Sequence, residues 1–296
     1  MTPKMITFKR FLLEGGTATK KWATGRASAV DIKSALKFVA SAAGIPKEEL
    51  QDNLLGSTEA TLLGARPDSG DIDIALVLDK HDPAKVHADM MTATGNAGVW
   101  NAGTKIGSYS VPVDGHTVQV DLMFVSDRKW AKFAYHSSMG QGSAYPGAVR
   151  NIILTTALSH TQEPGKDFVL KDSDSRVIAR ASRSLTLGGG MSRMFKHVVR
   201  KKDGSLGQTL QKTSAEDLEQ FLADIGQEIS FSHREDATQD PDAVAAFIFG
   251  PGVVATDIMS AEAVITHIKK LPNSAEILKA AKAALQQAKL PIPSEL

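Results

Sequence analysis

Hydrophobic and polar residues alternate most clearly over residues 71–78, and this alternation predicts a β-strand with one apolar face. The apolar face carries Ile72, Ile74, Leu76 and Leu78, and the opposite face carries Asp71, Asp73, Ala75 and Val77. Apolar residues at helical spacing predict an amphipathic helix over residues 29–43, with Ser28 as its N-cap. Gly44 and Pro46 end this helix.

A β-hairpin is predicted over residues 106–125, because Asp114 and Gly115 supply a two-residue turn between two extended stretches. On the second arm, one face carries the apolar side chains Val118, Val120, Leu122 and Phe124. Asp121 therefore points to the other face. A carboxylate within so apolar an arm indicates a specific role.

The remaining pattern divides the chain into two predicted domains. Helices are expected near 128–138 and 147–160, and residues 162–175 have the polar, Gly- and Pro-containing composition of a linker. We therefore predict an α/β domain at 1–162, with a mixed sheet of four or five strands flanked by helices, and a mostly helical domain at 176–296. The second domain is expected to contain an extended stretch at 177–187, a glycine turn at 188–190 and three or four helices over 214–290.

Composition excludes several classes of protein. The 296 residues include no cysteine, which excludes disulfides, a thiolate nucleophile and thiolate metal sites, so any metal must be held by oxygen or imidazole ligands. The sequence has neither an apolar run of about 18 to 20 residues nor a signal-peptide core. These features predict a cytoplasmic protein without membrane contact.

The net charge of +1 conceals segments of opposite charge. Residues 128–202 hold 14 lysines and arginines against 4 aspartates and glutamates, whereas residues 203–262 hold 2 against 12. Two explanations stay open. The basic block attracts an anionic ligand, or the two blocks face each other across a contact within the protein.

Three aspartates form the strongest candidate for a catalytic centre. Because side chains alternate along a strand, Asp71 and Asp73 point to the same face. Two such carboxylates repel each other unless a hard cation lies between them, and Mg²⁺ or Mn²⁺ prefers these oxygen ligands. Asp121 on an adjacent strand would complete a two-metal site for phosphoryl transfer. Gly56 and Ser57 lie where a strand meets a helix, which offers backbone N–H groups and a hydroxyl to a phosphate.

This combination resembles the nucleotidyltransferase superfamily, which includes DNA polymerase β, poly(A) polymerases, tRNA-nucleotidyltransferases and small antibiotic-modifying enzymes. The resemblance covers about residues 53–125 and includes the Gly-Ser pair, the Asp-x-Asp pair and the sequence Ala-Arg-Pro-Asp-Ser at 65–69. The chain departs from the family pattern by Gly70, which separates Ser69 from Asp71, and by a long gap of 13 residues after Ser57.

The resemblance implies a polymerase β-like fold and a defined reaction. A nucleoside monophosphate passes from a nucleoside triphosphate such as ATP to a hydroxyl, and pyrophosphate leaves. By the same resemblance, Asp71 and Asp73 bind two Mg²⁺ or Mn²⁺ ions, and Asp121 binds the catalytic ion and helps to activate the hydroxyl. Gly56 and Ser57 would hold the β- and γ-phosphates.

Further candidates for binding the triphosphate or the base each have a structural alternative. They are Arg66, Lys129, Lys132, Tyr145 and Arg150. Arg66 could instead form a surface pair with Asp68, and the two lysines could lie on a solvated helix face. Tyr145 and Arg150 could belong to an ordinary capped helix.

The acceptor and the N-terminal segment leave alternatives open. The basic block at 128–202 favours the 3′ end of an RNA or DNA, whereas the alternatives are a protein or a small molecule, as in toxin-like members, or a nucleotide-binding module without turnover. Residues 8–15 resemble the short leaders of some tailed-phage proteins, with Leu12-Leu13-Glu14 before the cleavage point. An amphipathic first helix explains that segment equally well.

Overall fold

The computed structural model describes residues 21–22, 25–137, 142–161, 167–186, 189–201, 203–227, 229 and 237–296. The leader-like segment at 8–15 lies outside these residues, as does Gly188 of the predicted glycine turn. None of the helices in the described ranges has both the length and the hydropathy required to cross a lipid bilayer.

The first four-stranded sheet is mixed, as predicted. Two short strands, β1 (Ala27–Ser28) and β2 (Asp68–Ser69), pair outside it, and its own strands are β3 (Ile72–Val77), β4 (Gly98–Asn101), β5 (Ile106–Val113) and β6 (His116–Val125). The spatial order is β3-β6-β5-β4, in which β3 and β6 run parallel and the other neighbours antiparallel. The predicted hairpin is confirmed as β5 and β6, with Val113 opposite His116.

Helices cover the apolar face of this sheet. They are α1 (Ala29–Ala43), α2 (Lys47–Asp52), α3 (Gly56–Leu62) and α4 (Pro83–Ala93). The predicted cap of α1 is confirmed, because the Ser28 hydroxyl accepts from the Asp31 backbone N–H while the Asp31 carboxylate accepts from Ser28. The buried core under these helices includes Ile32, Leu36, Val39, Ile72, Ile74, Leu76, Met90, Val120 and Leu122. The opposite face of the sheet therefore remains for the aspartates.

A second sheet follows where the sequence predicts a linker and mostly helices. Its strands are β7 (Phe168–Lys171), β8 (Val177–Thr186), β9 (Gly190–Arg200) and β10 (Leu206–Thr213), all antiparallel in the order β10-β9-β8-β7. The prediction of an extended stretch at 177–187 is confirmed by β8, but the other strands are missed. Arg, Lys and Ser residues occur on both faces of β8 and β9, so the alternation that marks a half-buried strand is weak.

The C-terminal helices share their core with helices that precede the predicted linker. The helices concerned are α5 (Arg128–Ala134), α6 (Gly147–His160), α7 (Ala215–Ala223), α8 (Pro241–Phe249), a 3₁₀ turn (Ala255–Ile258), α9 (Ala261–Ile268) and α10 (Ser274–Ala288). α6 packs against α9 and α10, while α7 packs under the second sheet. The predicted boundary at 162–176 therefore divides a continuous hydrophobic core.

Helix α5 belongs to two cores at once. Ala131 packs with Leu55 and Met123 on the aspartate-bearing face of the first sheet. Trp130 and Phe133 are buried instead in the core formed with α6 and the C-terminal helices. This short helix therefore joins the first sheet to the C-terminal part of the chain.

Arg150 links these elements from inside the core, which corrects its prediction as a base-binding residue. It is 1% exposed, its Nε donates to the carbonyl of Ile258 at 2.7 Å, and its Nη1 donates to the carbonyl of Phe133 at 3.0 Å. Asn151 adds a hydrogen bond to the carbonyl of Ala134. The Arg150 guanidinium satisfies helix-end carbonyls that no solvent reaches, so it is a structural residue.

We predict that Arg150→Met lowers the free energy of unfolding by about 1 to 3 kcal/mol, because it removes the side-chain donor of the buried Ile258 carbonyl and one of the donors of the Phe133 carbonyl. Chemical denaturation measures the change. Arg26→Met is the matched control, since Arg26 pairs with Asp68 at the surface and its loss costs about 1 kcal/mol or less. Unchanged stability with weakened nucleotide binding would contradict this structural role.

Candidate metal centre

Parallel pairing of β3 and β6 places the predicted aspartates side by side. Asp73 lies directly opposite Asp121 in the register, and Asp71 precedes the first residue of β3 on the same face. One carboxylate oxygen from each of the three lies within 4.8 Å of the others. The three carboxylates predicted as metal ligands therefore converge at one point.

The surroundings of the cluster disfavour its negative charge. Burial, followed by the neighbouring Asp71 and Asp121 carboxylates, raises the pKa of Asp73 well above its usual value. Burial and the Asp71 carboxylate raise the pKa of Asp121 to about 7. A divalent cation would offset this repulsion, and three oxygen donors suit the hard ions Mg²⁺ and Mn²⁺. The donor set therefore fits the cofactor that the resemblance implies.

Two buried polar side chains on the hairpin orient Asp121. Gln119 Nε2 donates to Asp121 Oδ1 at 2.9 Å, and the Ser108 hydroxyl also hydrogen-bonds to this carboxylate. Both residues are buried. Sequence analysis missed them, although a signal was present. The turn at Asp114-Gly115 sets Ser108 opposite Asp121, and Gln119 precedes Asp121 by two residues on the same face.

A buried hydroxyl fixes the backbone between the first two aspartates. Thr58 Oγ1 donates to the carbonyl of Asp71 at 3.2 Å and accepts from the backbone N–H of Asp73 at 3.0 Å. The backbone N–H of Leu55 donates to the carbonyl of Asp73 at 3.0 Å. These bonds attach the first turn of α3 and the residue before it to the edge of β3 and fix the backbone between the two aspartates.

The same bonds hold Gly56 and Ser57, which lie between Leu55 and Thr58, close to the backbone of Asp71 and Asp73. Gly56 has φ +53°, and a Cβ there would approach the carbonyl oxygen of Tyr135 to 2.9 Å, so only glycine fits without displacement. The Ser57 hydroxyl hydrogen-bonds to that of Ser69 at 2.6 Å.

Tyr135 is a further residue of the centre that sequence analysis missed. It follows the last residue of α5, and burial, together with the Asp73 and Asp121 carboxylates, raises the pKa of its hydroxyl. The phenol therefore lies close enough to the aspartates to feel their charge. Its place in the sequence could have indicated this position, because Tyr135 lies three residues after Lys132, at the end of the helix that follows the third aspartate.

Of the two predicted lysines, only Lys132 contacts the segment that contains Gly56 and Ser57. Its Nζ donates to the carbonyl of Leu54 at 2.6 Å and to Glu59 at 2.7 Å. Lys129 instead binds the carboxylates of Asp240 and Asp242 at the start of α8. For Lys129 the prediction of a phosphate contact is therefore not supported, and the contact between the basic and acidic blocks, the alternative explanation, is present at this point.

The other candidate residues lie apart from the cluster or outside its contacts. Asp68 pairs with Arg26 rather than with Arg66, and Arg66 forms no salt bridge with any residue that the structure describes. Tyr145 packs against the core of the C-terminal helices, and its backbone N–H donates to Ser143. Arg150 is buried in that core.

Comparison with known proteins gives no family for the chain. It matches no protein-family model and no curated protein sequence. The resemblance to nucleotidyltransferases therefore depends on the motif residues Gly56, Ser57, Asp71, Asp73 and Asp121 and on their placement in space.

We predict that the stability of the metal-free protein increases as the pH falls from 8 to 5. The pKa of Asp121 is about 7 when folded and near 3.8 when unfolded, so the folded state binds a proton that the unfolded state lacks. This stabilisation is complete below about pH 3.8 and is lost as the pH rises through about 7. Mg²⁺ should therefore raise the melting temperature more at pH 8 than at pH 5.5.

Thermal unfolding with and without Mg²⁺ measures both effects. Asp121→Asn should stabilise the metal-free protein at pH 8 and remove most of the response to Mg²⁺, because the amide is neutral and a poorer ligand. Asp89→Asn is the control, since Asp89 is paired with Lys85 at the surface. An equal Mg²⁺ response in wild type and Asp121→Asn would exclude this cluster as the metal site.

Gln119→Leu should weaken Mn²⁺ binding about 10- to 100-fold, since Asp121 then loses a hydrogen bond that orients it. Titration followed by the electron paramagnetic resonance of free Mn²⁺ gives the affinity. Gln220→Leu is a matched control, because Gln220 makes the same kind of bond to Asp224 on the surface at 2.8 Å. If both variants bind Mn²⁺ like the wild type, Gln119 has no positioning role.

Proposed function

We propose that the chain is a divalent-metal-dependent nucleotidyltransferase. It transfers a nucleoside monophosphate from a nucleoside triphosphate to the 3′ hydroxyl of a nucleic acid and releases pyrophosphate. The observation that carries this proposal is the convergence of Asp71, Asp73 and Asp121 beside the turn at Gly56 and Ser57.

The clustered carboxylates account for the choice of reaction. Asp71, Asp73 and Asp121 would hold divalent metal ions, which would supply neutralisation of the triphosphate charge and a lower pKa of the attacking hydroxyl. Nuclease sites also use clustered acids, but such a site does not explain the glycine-serine turn that the hydrogen bonds of Thr58 and Leu55 attach to the same strand. Nucleotidyl transfer from a triphosphate would use both the clustered carboxylates and the glycine-serine turn.

Different residues of the chain have different roles in the proposed reaction. The acceptor oxygen attacks the α-phosphorus, the bond to the β-phosphate oxygen breaks, and pyrophosphate leaves with that electron pair. Asp121 is the carboxylate assigned to take the hydroxyl proton, because Gln119 orients it within the cluster where the hydroxyl would be activated. Gly56 and Ser57 bind the departing phosphates, and Lys132 beside them supports the loop through the carbonyl of Leu54.

A nucleic acid is the proposed acceptor because cationic residues of the block at 128–202 remain after the internal contacts are assigned. Lys129 and Arg150 are engaged within the protein. Arg180 and Lys196, on the second sheet, form no salt bridge with the residues that the structure describes. They leave a positive charge that a polyanionic acceptor can use.

Transfer of label from α-³²P-labelled ATP, CTP, GTP and UTP to RNA and DNA oligonucleotides, with Mg²⁺ or Mn²⁺, tests the proposal. We expect radiolabelled oligonucleotide and free pyrophosphate with at least one nucleotide. Asp71→Asn and Asp73→Asn should each lower the rate at least 100-fold, as the loss of a central electrostatic group does elsewhere. Asp89→Asn should keep wild-type activity.

Two outcomes would contradict the proposal. Retained transfer in the double variant Asp71→Asn/Asp73→Asn would exclude this mechanism. Metal-independent nucleotide binding without pyrophosphate release, with oligonucleotide, protein and small-molecule acceptors, would identify a binding module instead. Label on a protein or small molecule would keep the chemistry but replace the acceptor.

A further inference from the structure

The second sheet aligns three cations across neighbouring strands. Arg180 on β8 lies opposite Lys196 on β9, and Lys196 lies opposite Lys212 on β10. Residues directly opposite each other point to the same face, so the three side chains form one transverse row. Val169 on β7 completes the row and is 44% exposed. The row therefore runs across all four strands.

This arrangement is unfavourable for the isolated protein. Like charges directly opposite each other destabilise a sheet. Burial lowers the pKa of Lys196, and the nearby Arg180 and Lys212 charges lower it further. None of the three forms a salt bridge with the residues that the structure describes, although Asp167 lies near enough to favour the charge of Arg180. The Nε of Arg180 is buried without a hydrogen-bond partner among those residues.

The other cation pair of this sheet shows the contrast. Arg183 and Arg193 also lie opposite each other, on the opposite face. Arg193 has a carboxylate at 3.7 Å, that of Asp167, and Arg183 stacks on the ring of Phe247 at 4.9 Å. That pair therefore has a carboxylate and an aromatic ring beside it, whereas Arg180, Lys196 and Lys212 form no salt bridge within the described part of the chain.

We propose that the row formed by Arg180, Lys196 and Lys212 binds the sugar–phosphate backbone of a single-stranded nucleic acid. Strands lie about 4.8 Å apart, so the row spans about 10 Å, which matches two or three successive phosphates of one strand. Arg180 and Lys196 are half-buried and Lys212 is exposed, so the row is accessible unevenly along its length. A narrow chain fits such a row better than a flat bilayer does. Nucleic-acid binding at this row does not depend on the proposed function. Only the role of the bound nucleic acid as acceptor rests on it.

Small polar residues extend the same face along the strands. Ser182 on β8, and Ser184 on β8 opposite Ser192 on β9, follow the row at two-residue intervals. Met194 lies opposite Ser182 on this face. The serine hydroxyls suit contacts to phosphate and sugar oxygens.

The second sheet is connected to the strand that carries Asp121. Met191 of β9 pairs with Thr238 through two backbone hydrogen bonds of 2.8 and 2.9 Å. The next residue, Gln239, hydrogen-bonds to Ser126, which directly follows β6. A nucleic acid bound to the second sheet is therefore bound to a sheet that is hydrogen-bonded, through Thr238 and Gln239, to the residue after the strand that carries Asp121.

Fluorescence anisotropy with a labelled 20-nucleotide RNA and DNA, in EDTA and without nucleotide, tests binding apart from catalysis. The variant Arg180→Glu/Lys196→Glu/Lys212→Glu should bind at least 10-fold more weakly. Its slope of log affinity against log salt should fall by about 2, since each phosphate contact on a single strand contributes about 0.7.

The matched control reverses three exposed lysines on the C-terminal helices and the segment between them: Lys269→Glu/Lys270→Glu/Lys279→Glu. It makes the same change in net charge and should keep wild-type affinity. Equal loss of binding in both triple variants, or no loss in either, would overturn the proposal, because the effect would then not depend on the row.

A single substitution separates binding from folding. Lys196→Gln should weaken RNA or DNA binding and raise the midpoint of thermal unfolding, because it removes the central charge of the row. If Lys196 had only a structural role, its substitution would lower both the affinity for RNA or DNA and the midpoint of thermal unfolding. Loss of binding to vesicles of anionic phospholipid, with unchanged RNA and DNA binding, would overturn the nucleic-acid proposal. Asp71→Asn should bind the oligonucleotides normally, so failure of transfer and failure of binding remain distinguishable.

Discussion

The parallel pairing of β3 with β6 is the constraint on which the proposed site depends. It places Asp73 beside Asp121, and the two-residue period of the strand adds Asp71. The repulsion between these carboxylates opposes folding, so the neighbouring structure has to hold them in place. Thr58 fixes the backbone of β3, and Gln119 fixes the carboxylate on β6. A cation bound among the carboxylates would remove this repulsion, and the free energy gained would add to the affinity for the cation.

Local patterns in the sequence predicted part of the acidic cluster. The alternation over 71–78 and the Asp-Gly turn at 114–115 determine which face each aspartate occupies and that β5 and β6 are neighbours. The capped helix at 29–43 followed in the same way from the N-cap and the apolar spacing. These features depend on residues close together in sequence, where period and turn chemistry decide the outcome. The pairing of β3 with β6, which brings the aspartates together, was expected only from the resemblance to nucleotidyltransferases. The nucleotidyltransferase fold itself stays a prediction.

Contacts between residues far apart in sequence were beyond such reasoning. Arg150 was predicted to bind a base because it lies with Tyr145 near a helix start, yet its carbonyl partners include Ile258, more than 100 residues away. Lys129 has its partners in the acidic block. The sheet of β7 to β10 was hidden because its strands carry charged residues on both faces. In each case the deciding interaction joins residues far apart in the sequence, so the local pattern of hydrophobic and polar residues does not indicate it.

Helix α5 has a consequence for how the molecule responds to change. One side of it packs on the aspartate-bearing face of the first sheet, the other side packs into the C-terminal core, and the residue after it contacts Gly56. A displacement of the C-terminal helices would be transmitted through this one rigid segment to the glycine turn. A fragment that ended before the second sheet would retain the three aspartates with Thr58 and Gln119 but lose the C-terminal core against which α5 packs. The glycine turn is thus coupled through α5 to the C-terminal part of the chain.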